Sequence, residues 1–144
     1  TAPFHEKIYE NVPIVLPFIK GVDRQIEILE YFFKHNSGNY YINYQLGHLY
    51  GKEKGDLQKS IYYLENSHRI DPKKLEAIKD LGVAYGITGR FEDALKVFKY
   101  ALTINPNDSQ IYGNIAVTYQ RMNNLDEAKK YFQKASEVEL NQKK

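Results

Sequence analysis

Gly47-His48-Leu49-Tyr50-Gly51-Lys52-Glu53 carries the glycines and lysine of a phosphate-cradling loop, and is the first stretch that could do chemistry. It fails on spacing. Three residues separate its glycines where such a loop needs four, and Glu53 stands where Ser or Thr would hold magnesium. The stretch also falls inside a helical pattern rather than after a strand. His5, His35, His48 and His68 lack metal-ligand spacing, and with no cysteine the sequence offers neither a structural zinc site nor thiol chemistry. His68 reads as lying on a solvated helix end. The acidic pairs Glu92-Asp93 and Asp126-Glu127 each open a predicted helix, where carboxylates favour the positive end of the dipole. That placement accounts for them without general acid–base work. Asn107-Asp108-Ser109 is a formal glycosylation sequon, relevant only in a secreted eukaryotic protein. The expectation is a protein that is not an enzyme and carries neither cofactor nor metal.

Composition then narrows the class. With 144 residues, 42% hydrophobic and 26% charged, the chain suits one globular domain. A net charge of +2 gives no electrostatic reason to expect nucleic acid or an anionic membrane as partner. The longest apolar run, Val12 to Ile19, is interrupted by Pro13 and Pro17 and falls far short of a bilayer span, so no membrane insertion is expected. The chain begins at Thr1 rather than methionine and reads as a piece of a longer protein. Its compartment stays open between cytoplasm and periplasm.

The elements that position the remaining candidates come from an internal repeat. Gly82 and Ala116, Tyr85 and Tyr119, Ala94 and Ala128, Phe98 and Phe132, and Ala101 and Ala135 are each 34 residues apart. Ser60, Leu64, Ser67 and Pro72 precede Ala94, Phe98, Ala101 and Pro106 by the same 34, whereas Leu46, Gly47 and Tyr50 precede their counterparts by 35. One residue is therefore inserted near Gly51–Lys54. Each repeat reads as a helix, a tight turn and a second helix. The turns fall at Gly55-Asp56, Gly89-Arg90 and Asn123-Asn124, where Gly and Asn tolerate the left-handed conformation that closes a helix. Asp71-Pro72 and Asn105-Pro106 end the second helices, since proline disfavours helix at the residue before it. Two antiparallel helices per repeat follow. The small residues then mark close approaches, with Gly82 expected to meet Ala94 across the hairpin and Ala101 to meet the next repeat.

Leu-Gly with Tyr three residues after the Gly, then Ala, Phe, Ala and Pro at these spacings, resembles the tetratricopeptide repeat. The resemblance covers 40–74, 75–108 and 109–142. Ser60 and Ser67 replace alanines, Leu140 replaces the closing proline, and Asn43, Ile78 and Tyr112 stand where the family often has tryptophan. The pentatricopeptide family, with its longer unit and RNA ligand, fits less well. The resemblance implies an all-α, right-handed superhelical solenoid of antiparallel helix hairpins. Residues 1–39 are open to two readings. Ile8–Val12 aligns with Ile111–Ile115 at an offset of 103, which makes 6–39 a degenerate repeat. Alternatively a capping helix over about 23–35 follows an extended apolar segment, because Pro13 and Pro17 disfavour helix.

In this family the concave face of the solenoid is implied to come from the first helix of each repeat. The residues of those helices not needed for the hairpin core are Tyr41, Tyr44, Gln45 and His48; Glu76, Lys79, Asp80, Val83 and Ile87; and Gln110, Gly113, Asn114, Val117 and Arg121. They describe a charge-balanced groove with apolar and aromatic contacts, with Gly51, Gly86 and Gly113 on it or at its edge. Chaperone-binding relatives hold a carboxylate-ended peptide with lysines, asparagines and an arginine. The corresponding positions here are Tyr44, His48, Asp80, Gln110 and Asn114, so that mode is expected to be absent. The resulting expectation is a protein–protein interaction scaffold that takes a peptide or partner helix in the groove. The alternative is a regulatory or substrate-docking appendage of a larger enzyme or envelope assembly protein. Phe132, Ala135 and Val138 on the last helix, left without a neighbour, point to self-association through the C-terminal end.

Overall fold

The computed structural model describes residues 11–143, and among these all regular structure is helical. The chain divides into two compact units, 1–72 and 73–144. In the first unit residues 11–15 are helical and run into a 3-10 turn at Leu16–Phe18, followed by α1 (Val22–His35), α2 (Tyr40–Lys52) and α3 (Leu57–Ile70). The apolar segment before α1 is therefore helical over 11–18 rather than extended. Pro17 sits in the first positions of the 3-10 turn, where its missing N–H is not needed. The call on residues 6–10 lies outside the described residues.

In the second unit the helices are α4 (Leu75–Ile87), α5 (Phe91–Ile104), α6 (Ser109–Arg121) and α7 (Leu125–Gln142). Neighbouring helices pack in chain order, and α4 also touches α6.

Helix starts follow from local chemistry. Asn39, Asp56, Asp108 and Asn124 each stand before a helix and accept a hydrogen bond from a backbone N–H of its first turn, satisfying a donor that would otherwise be orphaned. The N-caps of α4 and α5, Lys74 and Arg90, make no such bond. There Glu76, and Glu92 with Asp93, supply negative charge to the first turn instead.

Hairpin closure is the same event three times. Gly55, Gly89 and Asn123 have φ of 68°, 81° and 59°. The next residue in each case, Asp56, Arg90 or Asn124, returns its N–H over 2.9 Å to the carbonyl of Tyr50, Tyr85 or Tyr119. Five residues separate the partners in the second and third closures and six in the first, so the extra residue of the first repeat is taken up in this loop. α3 and α5 stop before Asp71-Pro72 and Asn105-Pro106. α7 has Leu140 where those helices meet proline, and it runs for 18 residues against 14.

The glycines decide the close approaches, and they correct one contact. A Cβ on Gly82 would come within 2.5 Å of the Phe98 ring, so Gly82 lies under Phe98 rather than opposite Ala94. In the first unit Gly47 lies against Leu64 in the same way. Gly51 faces its own hairpin partner, where a Cβ would sit 2.6 Å from Ser60 Oγ, so it is no part of a groove edge. Ser60 stands in place of an alanine, and its hydroxyl donates to the Gly47 carbonyl over 2.7 Å. The polar atom is buried but satisfied.

In the first unit one core joins Val12 and Leu16 to Ile26 and Leu29 of α1, to Ile42, Leu46, Leu49 and Tyr50 of α2, and to Tyr63 of α3. α1 is clamped by polar contacts as well. Tyr50 donates to Glu30 over 2.5 Å, and Lys59 Nζ lies 3.3 Å from the same hydroxyl and 4.5 Å from its ring centroid. Tyr63 stacks on Tyr50, and burial, with Glu30 adding to it, pushes the Tyr63 phenol up to about 12. His68 is half-buried rather than solvated, and burial lowers its pKa.

Candidate functional site

Residues expected to face a groove take different positions in the two units. In the first, Tyr41 is half-buried against the core, and burial raises its pKa. Tyr44 stacks on Tyr40 with centroids 6.0 Å apart and rings nearly parallel at 7°, and His48 tilts against Tyr44 at 5.7 Å. These three, four residues apart along α2, share one side of that helix. Tyr40 is a member of this ladder that sequence reasoning missed, although its spacing to Tyr44 and His48 is the signal that finds it. Gln45 is half-buried beside them in the chain.

In the second unit α4 and α6 bring five expected residues together. Val83 and Ile87 from α4, with Asn114, Val117 and Arg121 from α6, line a cleft of about 120 Å³. Gly82, Gly86, Phe98 and Thr118 complete it. Phe98 is only 1% exposed, yet its ring reaches this cleft because Gly82 beneath it has no side chain. Gly86 has open space where a Cβ would stand, as has Gly113. Glycines four residues apart on one helix lower a single face. That spacing is the sequence signal for the cleft. Val83, Ile87 and Val117 are 41%, 51% and 45% exposed, so apolar surface remains open to water around a buried ring.

The two cations expected nearby, Lys79 and Arg121, are engaged inside the unit. Lys79 Nζ lies 2.5 Å from Asp108 Oδ2, with both side chains largely sheltered, and donates to Gln110 Oε1 over 3.1 Å. Asp108 also caps α6 through its contact with the Ile111 N–H. Lys79 and Gln110 thus tie α4 to the start of α6. Arg121 donates to the Gly86 carbonyl over 3.0 Å, reaching one of the carbonyls that the end of α4 leaves without a helical partner. Glu76 is exposed on α4, and Asp80 is half-buried. What is left around the cleft is mainly hydrocarbon and backbone, a surface suited to an apolar side chain rather than to an ion.

α7 presents another surface. Leu125, Ala128, Phe132 and Ser136 line a cavity of about 700 Å³ in which Phe132 is 42% exposed. Val138 is buried, and Gln142 Nε2 reaches the Asn107 carbonyl over 2.5 Å, so the far end of α7 is packed rather than open as expected. No helix among the described residues is long and apolar enough to cross a membrane.

Helix hairpins repeated at 34 residues, closed by the same turn and opening one helix face to solvent, define a helical-repeat binding protein. Two family models described as tetratricopeptide repeat match residues 40–74 and 87–143, and the chain belongs to that family. Its fold is a helical solenoid of that type. The chain is similar to the Photosystem I assembly protein Ycf3 of Prochlorococcus marinus (strain NATL1A), with 30% identity over 108 residues. That match takes in 68% of this chain and 62% of the Prochlorococcus protein, so the chain spans about three fifths of this curated relative. A stretch of 73 residues is 33% identical to the Superkiller protein 3 of Schizosaccharomyces pombe, or 5% of that protein. Among solved structures, MamA MSR-1 matches with a TM-score of 0.78 and 30% identity, over 84% of this chain and 69% of that one. Another MamA structure matches with a TM-score of 0.84 at 23% identity, a likeness of fold alone. The tetratricopeptide repeat family is one of protein-interaction modules.

Proposed function

We propose that this chain is a non-enzymatic scaffold that captures an aliphatic or aromatic side chain of a peptide or partner helix in the cleft over Phe98. One observation carries the reading: three half-open aliphatic side chains surround a cleft floored by a buried ring, while the neighbouring cations Lys79 and Arg121 are tied up within the protein. At about 120 Å³ the cleft is far below the roughly 300 to 1,000 Å³ of a small-molecule site. It suits one side chain of a larger partner. Burying such an anchor contributes about 1.5 to 3 kcal/mol, so useful affinity needs further contacts. Val83 and Val117 are the walls, Asn114 is placed to bond the partner's backbone, and the Tyr44–His48 ladder with Gln45 offers a separate aromatic surface on the first unit.

Similarity to an assembly protein, over part of that protein's length, supports the second reading, in which the chain serves as a docking appendage within a larger protein. Self-association through the α7 face is also part of the proposal, supported by the open Phe132.

Selection of random peptides displayed against the immobilised chain tests the cleft. The enriched peptides are expected to carry aliphatic or aromatic residues, to bind with weak salt dependence, and to lose the Val83→Glu variant. Peptides that bind Val83→Glu unchanged, or that release between 0.1 and about 0.5 M salt, would place the binding surface elsewhere.

A further inference from the structure

The open apolar side chains of the cleft share their side of α4 with a carboxylate whose charge is unmet. Glu76 lies seven residues before Val83, so two turns of helix return it to nearly the same side, about 10 Å towards the start of α4. It is exposed, and its side chain makes no hydrogen bond or ion pair among the described residues. The cations around it are committed elsewhere. Lys79 is paired with Asp108, and Lys73 and Lys74 in the turn before α4 have contacts of their own. Arg121, at the far end of the cleft, bonds the Gly86 carbonyl, where its charge meets the negative end of the α4 dipole. The surface along α4 therefore runs from an acidic start to an apolar end. Asn114 of α6 lies between the two, since the 34-residue offset sets it level with Asp80. Its backbone carbonyl accepts from Thr118, while its side-chain amide makes no hydrogen bond among the described residues. An extended segment has backbone groups to offer that amide, whereas a helix spends its own internally.

We infer that the partner segment is extended and carries a lysine or arginine two or four residues from its apolar anchor, paired with Glu76 while Asn114 bonds the backbone between them. The pairing rests on the reading of the cleft over Phe98 as the seat of that anchor. Side chains two and four apart in a strand share a face and lie about 7 and 13 Å from the anchor. Those distances bracket the gap to Glu76 within the sweep of a long side chain. Exposed ion pairs are weak, so the base adds about two- to five-fold in affinity and leaves the anchor dominant. Its larger effect is on choice, because an acidic residue at the same place meets a like charge.

Two selections from one random peptide library, on the immobilised whole chain and on its Glu76→Lys variant at about 0.1 M salt, test the pairing. Glu76 is exposed, and circular dichroism checks that the variant keeps its helices. Both selections are expected to enrich an apolar anchor. Peptides from the wild type should carry Lys or Arg two or four residues from it, and peptides from Glu76→Lys should carry Asp or Glu there. A wild-type peptide should bind Glu76→Gln about two- to five-fold more weakly at 0.1 M salt, with the difference vanishing near 0.5 M. It should lose Val83→Glu altogether. Anchored peptides whose flanking charges are the same in both selections overturn the pairing with Glu76 and leave the cleft standing. Peptides without an apolar anchor, peptides indifferent to Val83→Glu, or a library that yields no binder overturn the cleft reading itself.

Discussion

Adding one methyl group to Gly82 and to Gly86 should move stability in opposite directions. Both glycines lie on α4, neither has a positive φ, and replacing glycine by alanine in a helix gains about 0.5 to 1 kcal/mol. At Gly86 nothing lies within 4 Å of the new Cβ, so the gain stands, reduced by its place in the last turn. At Gly82 the Cβ falls 2.5 Å from the Phe98 ring, which is 1% exposed and has nowhere to retreat. Overpacking of this kind costs about 1 to 3 kcal/mol, which outweighs the helical gain and leaves a net loss of about 1 kcal/mol. The chain already contains a related comparison. Ala116 occupies the place of Gly82 one repeat later, and the matching Phe132 stands 42% exposed against 1% for Phe98. Thermal unfolding followed by circular dichroism reads the difference. At this size 1 kcal/mol shifts Tm by about 2 to 4 °C, so Gly86→Ala should melt above the wild type and Gly82→Ala several degrees below it. Equal shifts, or a stabilised Gly82→Ala, would refute the placement of the Phe98 ring over Gly82. Gly86→Ala should also narrow the cleft and weaken peptide binding while raising Tm, an effect that isothermal titration separates from stability.

Ser67, in place of a family alanine, buries a hydroxyl with no hydrogen-bond partner, so Ser67→Ala should stabilise the chain by about 1 kcal/mol in the same melts. Ala94 and Ala101 are fully buried, and leucine at either should cost about 1 to 3 kcal/mol. Tyr50→Phe removes the donor to Glu30 and should cost about 1 to 3 kcal/mol in urea unfolding, with α1 fraying first in hydrogen exchange. Alkaline titration should weaken the fold. Tyr63 is raised from 10.0 to about 12, so the folded form holds its proton where the unfolded chain has lost it. The stability this contributes is complete below pH 10 and disappears as pH rises to about 12. His68, lowered by burial from 6.5, acts in the opposite limb, its contribution present above pH 6.5 and lost as pH falls. Tyr63→Phe and His68→Gln should each flatten its own limb of a Tm–pH profile.

The repeat was legible because it rests on local rules. Glycine or asparagine at 55, 89 and 123 needs only its own φ, and proline at 72 and 106 acts on the residue before it. The facing of small residues was less legible. Gly82 was matched to Ala94 by position, whereas the direction of the Phe98 side chain across the hairpin decides what lies over the glycine. Charge balance along the groove also misled in part. The partner of Lys79 is Asp108, set by the stacking of one hairpin on the next, a register that no single repeat contains. Tyr41 is half-buried against a core assembled from several helices, which no single repeat contains, and helix over 11–18 runs against two prolines, of which Pro17 stands at the start of the 3-10 turn where its missing N–H is not needed. Val83, Ile87, Asn114, Val117 and Arg121 do converge, since the 34-residue spacing fixes which faces of α4 and α6 meet.

Methyl-resolved NMR of the chain titrated with a display-selected peptide tests the central claim most directly. Binding in the cleft over Phe98 predicts that the methyl signals of Val83, Ile87 and Val117 shift together and saturably, with nuclear Overhauser contacts to one peptide side chain, and that Leu140 stays still. Saturable shifts confined to other methyl groups, with these three unmoved, would contradict it.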